Sequence, residues 1–577
     1  PTPLPQGERG ANPPILSPRA ACAIVFAASF CSMALEIAAS RLLAPHLGVS
    51  LYSWTGIIGV VLAGVMFGNW AGGRIADHSP KAETLGTCLF LAGLFTLLTL
   101  ISVALLSHDW DAASSSGVTR KLAAAVNWVN DRGLMGKIVA WAAILFLAPM
   151  YLLGTISPQV TRLAVADWDH AGRVAGRVYA FSCVGAIAGT FAAGWGGIPL
   201  LGGVNGLILA VALVLTVLSG AVGGLWRRPG ELFLGTIVVA AALVGLATRG
   251  SLISRYDLET NYYAIRTYDR REVNPETGEE RVAVDDKGRI TRKLALDALM
   301  HSYVKGWVTT DAAGNEVAFR ADPSYTGYEH EQVQAEFCRL AADQAGGAAN
   351  ILVIGGGGYT LPRWIDATLP AARVEVVEID PGVTEVAHRK LGLPRDTKIV
   401  THHMDGRQFV QERAAARHYQ LVVQDAVNDL SVPYHIMTKE YNDAVKRLLT
   451  PDGVYLLTVI DEFGDGRLWR SAVRTMRETF PHVALLATNE EVWAPDAQEV
   501  YVIYGSGRPF DRSALEAAAT RRHADAVKTI AMSDDRLRAE LDAVPAPVLT
   551  DAYAPVDNLI SEVFRNRADA MREQRRR

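Results

Sequence analysis

Cysteine is scarce in this chain. Five occur in 577 residues, Cys22, Cys31, Cys88, Cys183 and Cys338, and no C-x-x-C or disulfide framework is visible. An excess of one charge is missing too: the formal net charge is −4. With no stripe of interleaved basic and aromatic residues, a general affinity for nucleic acid is excluded. The basic tail RNRADAMREQRRR reads as a solvated end. The most informative absence is local. From about Arg19 to Leu246 charge nearly disappears from long Ala-, Gly-, Leu- and Val-rich stretches, whereas from Arg255 onward charges recur every few residues. Two blocks follow, one suited to lipid and one to water.

Seven stretches, 19–41, 53–75, 83–107, 137–159, 176–197, 204–224 and 231–248, reach the about 20 residues a helix needs to cross a hydrocarbon core. Small residues recur in them, as in GVMFGNWAGG and GAIAGTFAAG, so tightly packed helices are expected. With the N-terminus inside, the inner loops hold Arg9, Arg19, Arg74, Lys81, Arg162, Arg173, Arg177, Arg227 and Arg228, and the outer ones Arg41, Arg120, Lys121, Arg132 and Lys137. That bias favours a cytoplasmic N-terminus and, after seven crossings, an outer soluble block. The chemistry below needs a cytosolic metabolite, and a cytoplasmic soluble block in a bacterial plasma membrane is the reading preferred.

Residues 255–320 carry short alternating runs such as NYYAIRTYD and RITRKLALDALMHSY, joined by turn-rich NPETGEE and DDKGR, the pattern of a small antiparallel β-unit. From Asn350 the pattern changes. NILVIG, RVEVVEID, TKIVTHH, YQLVVQD and GVYLLTVI alternate with helical stretches, which predicts a parallel, doubly wound α/β sheet. Ligands of such sheets sit beyond the carboxyl ends of the strands. Chemistry-bearing residues stand there. Gly355, Gly356, Gly357 and Gly358 follow the first strand, where a backbone without side chains can approach a ligand closely. Glu378 follows about 20 residues beyond the last glycine, placed to accept hydrogen bonds from ribose hydroxyls. Asp405 and Gly406 follow the third strand, in a position suited to an adenine amino group, and Asp425 ends the fourth. The turn lacks a G-x-G-x-x-G helix opening, with Thr360 and Pro362 near the third glycine's place, so an adenosine bearing a sulfonium fits better than a pyrophosphate. His402 and His403 are adjacent on a strand and point to opposite faces, which argues against joint metal binding, and no metal is expected.

The order GGGG, VVEID, DG, then QDAVNDLSVPYHIMTKEY and LLTPDGV resembles the spermidine and spermine synthases, the polyamine aminopropyltransferases, and especially their membrane-fused bacterial relatives. ETNYYAI at 259–265, LDALMH at 296–301 and YTGYEHEQV at 325–333 extend the likeness upstream, so it covers roughly 255–510. The resemblance implies a multi-pass α-helical membrane domain plus a Rossmann-like α/β domain of the class I methyltransferase type, preceded by the β-unit. The implied boundaries are a disordered 1–18, a bundle over 19–250, the β-unit over 251–325, the α/β domain over 326–545 and a tail over 546–577. It further implies a transferase that moves an aminopropyl group from decarboxylated S-adenosylmethionine to an amine, releasing methylthioadenosine. Carried over by motif, Glu378 with Asp380 holds the ribose, Asp405 the adenine, and Asp425 is the base. Tyr262, Tyr263, His301, Tyr328, Glu329 and Asp429 line the acceptor channel. A homodimer, a small amine substrate and contact with the lipid bilayer are implied as partners.

The sequence departs from the family at the amine-recognising end. The family's turn ends in Asp where Gly358 stands, its D-x-x-D becomes Asp425-Ala-Val-Asn428 with Asp429 one place later, and its two strand glutamines become Tyr263 and His301. Gly358 opens room for the carboxylate of intact S-adenosylmethionine, so a methyltransferase on the same scaffold is the second expectation. A polyamine transporter or sensor is the third, against which the scarcity of membrane-embedded charge speaks.

Overall fold

The computed structural model describes residues 15–48, 50–106, 117–130, 132–166, 171–223, 229–247, 256–273, 280–297, 299–413, 418–426 and 433–560. The chain divides into two compact units, residues 1–255 with 259–261, and residues 256–258 with 262–577.

The first unit is a helical bundle. Among the described residues six helices are long and apolar enough to cross a membrane, at 18–47, 51–78, 82–100, 135–164, 171–200 and 204–223. The seventh expected span is the 19-residue helix Pro229–Ala247, about 28 Å long at the standard rise. The first helix begins at Pro18, where the Ser17 hydroxyl accepts from the Ala20 N–H. Small residues decide the packing. A side chain at Gly72 would come within 2.7 Å of the Thr155 Cα, and one at Gly154 within 2.6 Å of the Val65 carbonyl, so these helices touch backbone to backbone. Buried polar side chains turn to their own helix: Thr216 donates to the Ala212 carbonyl (2.7 Å) and Gln159 to that of Thr155 (3.0 Å). Two π turns, Ala143–Leu147 and Ala193–Gly197, interrupt the α-helical ladder.

In the second unit, the strands β1 (Leu258–Glu259), β2 (Ala264–Asp269), β3 (Arg271–Val273), β4 (Glu280–Val282), β5 (Ile290–Leu296), β6 (Leu299–Thr310) and β7 (Glu316–Ala321) precede the α/β region. They form a five-stranded sheet of order β1-β2-β5-β6-β7 and a β3-β4 hairpin. The run RITRKLALDALMHSY is two strands rather than one. Asp297 takes a left-handed conformation (φ 51°), and its carboxylate accepts from the Ala264 N–H at 2.9 Å, ending β5 and returning the chain as β6.

The α/β region continues with β8 (Asn350–Ile354), β9 (Arg373–Val377), β10 (Val400–His402), β11 (Tyr419–Gln424), β12 (Leu449–Glu462), β13 (His482–Ala487), β14 (Gln498–Ser506) and β15 (Ile530–Ala531). Their order is β10-β9-β8-β11-β12-β14-β13-β15. The first five are parallel, as the alternation with helices predicts. Beyond β12 the sheet continues antiparallel through β14, β13 and β15, an extension the pattern did not announce. Ile351, Leu352, Val353 and Ile354 are all buried, as befits a central strand covered on both faces. The strand order reverses between β8 and β11, which opens a crevice at their carboxyl ends.

Candidate active site

At the reversal point the two strand ends nearly touch. Gly355 has φ 105°, and a Cβ there would lie 2.5 Å from the Asp425 carbonyl oxygen. Of the amino acids, glycine alone satisfies both conditions at this position. The Asp425 N–H in turn donates to the Ile354 carbonyl (2.8 Å), so the glycine turn and Asp425 share one backbone junction.

Asp425 faces a group that the sequence did not single out for it. His330, in the first turn of the helix Glu329–Gln344, places Nε2 3.4 Å from Asp425 Oδ2, with its side chain 9% exposed. Burial by itself pushes Asp425 up. The charge and hydrogen bond of His330, with hydrogen bonds from Gln334 and Thr458, outweigh that and hold the carboxyl below its ordinary value. Burial pushes His330 down, while Asp425 and then Glu331 raise it, leaving the imidazole above its usual value. Each partner thus favours the other's charge. Next to them Glu331, driven by burial, is pushed up to about 7. The Tyr328 ring stacks on His330 (5.1 Å between centroids) and meets Tyr303 at 4.8 Å, so an aromatic wall adjoins the pair.

Glu378 lies under the glycine turn. Its Oε2 accepts from the N–H groups of Gly356 (2.8 Å) and Gly357 (3.4 Å), and its Oε1 from that of Asp380 (2.9 Å). Burial raises its pKa against these hydrogen bonds. Asp380 is 1% exposed and caps the helix Pro381–Lys390 through the Gly382 N–H (2.8 Å), so at least one of its oxygens serves the fold. Asp405 Oδ1 accepts from the N–H groups of Arg407 (2.9 Å) and Gln408 (3.0 Å), and its Oδ2 lies 2.8 Å from His435 Nε2. The His435 contact is the main reason its carboxyl titrates below the ordinary range. Gly406 opens the helix Gly406–Arg413.

The expectation for Gly358 is corrected. A Cβ there would lie 2.6 Å from the Ser302 Cβ, and the Gly358 N–H donates to Ser302 Oγ (2.8 Å). Ser302 of β6 fills the room that the missing side chain was expected to leave for a donor carboxylate.

The expected acceptor residues divide into groups. The Tyr263 and His301 rings face each other at 6.4 Å, and Tyr328 donates to the Met300 carbonyl (3.4 Å). Tyr262 is 44% exposed. The Glu329 carboxylate accepts from the Thr488 hydroxyl and from Asn489 Nδ2 (3.1 Å). Asp429 lies outside the described residues. Sequence reasoning passed over His330, Ser302 and His435. For His330 a signal existed in its place beside Tyr328 at a helix start, but nothing local linked it to Asp425. Among the described residues no group of three or more His, Cys, Asp or Glu side chains could hold a metal ion.

Residues 333–505, which include the glycine turn, Glu378, Asp405 and Asp425, match the family described as "Spermine/spermidine synthase domain". Through this stretch the chain is similar to spermine/spermidine synthases. Over 131 residues the chain is 30% identical to the polyamine aminopropyltransferase of Vibrio vulnificus (strain CMCP6), covering 22% of this chain and 43% of that one. Over 184 residues the chain is also 30% identical to the eEF1A lysine and N-terminal methyltransferase of Xenopus laevis, covering 30% of this chain and 26% of that protein. The chain therefore spans less than half the length of these relatives. Among solved structures, a probable spermidine synthase from Corynebacterium glutamicum aligns with TM-score 0.38 and 18% identity, covering 50% of this chain and 96% of that one.

Proposed function

We propose that this protein is a membrane-anchored transferase that moves an aminopropyl-type group from decarboxylated S-adenosylmethionine to an amine and releases methylthioadenosine. The observation that carries the reading is Asp425. It stands at a strand end, kept anionic by a buried histidine and joined through the backbone to a glycine turn that rests on Glu378.

In this mechanism the Glu378 carboxylate accepts from the ribose hydroxyls and Asp405 from the adenine amino group. The amine nitrogen must lose a proton before its lone pair can attack, and Asp425 takes that proton. The nitrogen then forms a bond to the carbon beside the sulfonium as the carbon–sulfur bond breaks. The electron pair goes to sulfur, which leaves as a neutral thioether. Tyr328 and Tyr303 offer aromatic faces to a second, cationic end of the acceptor. Mixing the full-length protein with the decarboxylated donor and a panel of amines is expected to release methylthioadenosine. Its absence with every acceptor rejects the reading.

A second reading, methyl transfer from intact S-adenosylmethionine, draws on Gly358 standing where the family carries an acid and on the 30% identity to a methyltransferase over 184 residues. Ser302 closing the room at Gly358 weighs against it. Tighter binding of the intact donor than of the decarboxylated one would favour it. We place the protein in a bacterial plasma membrane with the α/β domain in the cytosol, where adenosyl sulfonium donors are made. A cysteine introduced beside Asp425 is expected to resist an impermeant maleimide in intact cells. Labelling would place the domain on the face that the loop charges favour.

A further inference from the structure

We propose that the segment 545–556, beyond residue 505 where the matched domain ends, completes the adenosine end of the site, with Asp551 as a positioning residue. The proposal rests on the reading above that Asp405 receives an adenine amino group.

Arg407 links the segment to the site. Its backbone N–H holds Asp405 Oδ1 (2.9 Å), while its Nη1 donates to the His435 carbonyl (2.8 Å). One residue thus grips both members of the Asp405–His435 pair, whose side chains meet at 2.8 Å. What fixes the guanidinium is Asp551, whose Oδ1 accepts from Arg407 Nη1 (2.7 Å) and whose Oδ2 accepts from Nη2. The same Oδ1 accepts a hydrogen bond from the Thr438 hydroxyl (2.7 Å). The segment itself is anchored on both sides. The Asp551 N–H donates to Glu440 (3.0 Å), the Lys439 N–H donates to the Leu549 carbonyl (2.9 Å), and Leu549 and Val556 are buried in the core. A two-pronged carboxylate–guanidinium pair sets direction as well as attraction. Without it the long Arg407 side chain regains rotamer freedom, and the His435 backbone and ring lose their reference.

The Asp551 side chain is 43% exposed, and ion pairs in such settings contribute little to stability. Loss of the pair should therefore be read in recognition, not in folding. The ligand feature at stake is the exocyclic amino group, which donates to Asp405. A 6-oxo base presents an acceptor instead and is disfavoured.

The test is calorimetric titration of the full chain in detergent with methylthioadenosine and with methylthioinosine, for wild type, Asp551→Asn and Arg407→Lys. Wild type is expected to prefer the adenosine compound. Both variants are expected to lose about tenfold in its affinity, the scale of one charge-assisted hydrogen bond, and most of the preference over inosine, at an unchanged melting temperature. Arg407→Lys retains the backbone grip on Asp405 and serves if the other variant does not fold. If wild type binds methylthioadenosine and both variants match it in affinity and preference, this proposal is overturned while the transferase reading stands. Wild type binding neither compound would overturn both.

Discussion

In the bundle, helices meet where side chains are missing, as Gly72 does against Thr155, and buried hydroxyls bond carbonyls of their own helix. In the α/β unit the interior holds tyrosines, tryptophans and buried cations. Arg292, its side chain 5% exposed, bridges Asp269 (2.7 Å) and Glu316 (2.6 Å), and Arg470, at 1%, pairs with Glu540 (2.9 Å). Where helices are apolar on nearly every side, close backbone contact supplies much of the specificity. In water, large apolar side chains drive burial, and charges enter the core only with partners. The comparison separates the parts by the chemistry each can support. A base next to an imidazole requires the second environment.

Four substitutions test that contrast, from the largest expected effect to the smallest. Asp425→Asn retains shape and removes the base, so kcat should fall by roughly 10²–10⁴ while donor affinity by titration stays within about threefold. An unchanged kcat would take Asp425 out of the mechanism. Gly72→Leu should act in the opposite sense. It forces the helices apart at the cost of about 1–3 kcal/mol or more, read as a lower melting temperature in detergent, with donor affinity of the folded fraction unaltered. A loss of affinity instead would show that the bundle governs the crevice.

His330→Gln should lower kcat about tenfold and change the pH profile. The ion pair exists above the depressed Asp425 pKa and is lost as pH rises through the raised His330 pKa. The wild-type rate should carry an alkaline limb from that loss, and the variant should lack it. An identical limb in both would assign it elsewhere. Ser302→Ala leaves the buried Gly358 N–H without its acceptor, a penalty of about 1–2 kcal/mol in stability, measurable by denaturant titration of the melting curve. No change would mean that the turn finds another acceptor.

Much of the α/β region was legible because strand periodicity and glycine turns are local signals. NILVI, RVEVV and YQLVVQ form β8, β9 and β11, and Gly355, Glu378 and Asp425 come to their carboxyl ends. The antiparallel β13 to β15 extension escaped because its strands carry no turn chemistry that sets direction. The π turns in the bundle escaped because an extra residue per turn leaves no compositional mark. His330, Ser302 and Asp551 were missed for a common reason. Each acts on a residue distant in the chain, on Asp425, Gly358 and Arg407, and only folding makes them neighbours. Gly358 was misjudged on the same ground, since an absent side chain says nothing about what another strand puts there.

The contact between Gly355 and the Asp425 carbonyl has a mechanical meaning. The glycine turn and Asp425 are parts of a single stiff joint and cannot drift separately. Tyr262, Tyr263 and His301 stand apart from that joint, so those positions can change without disturbing it.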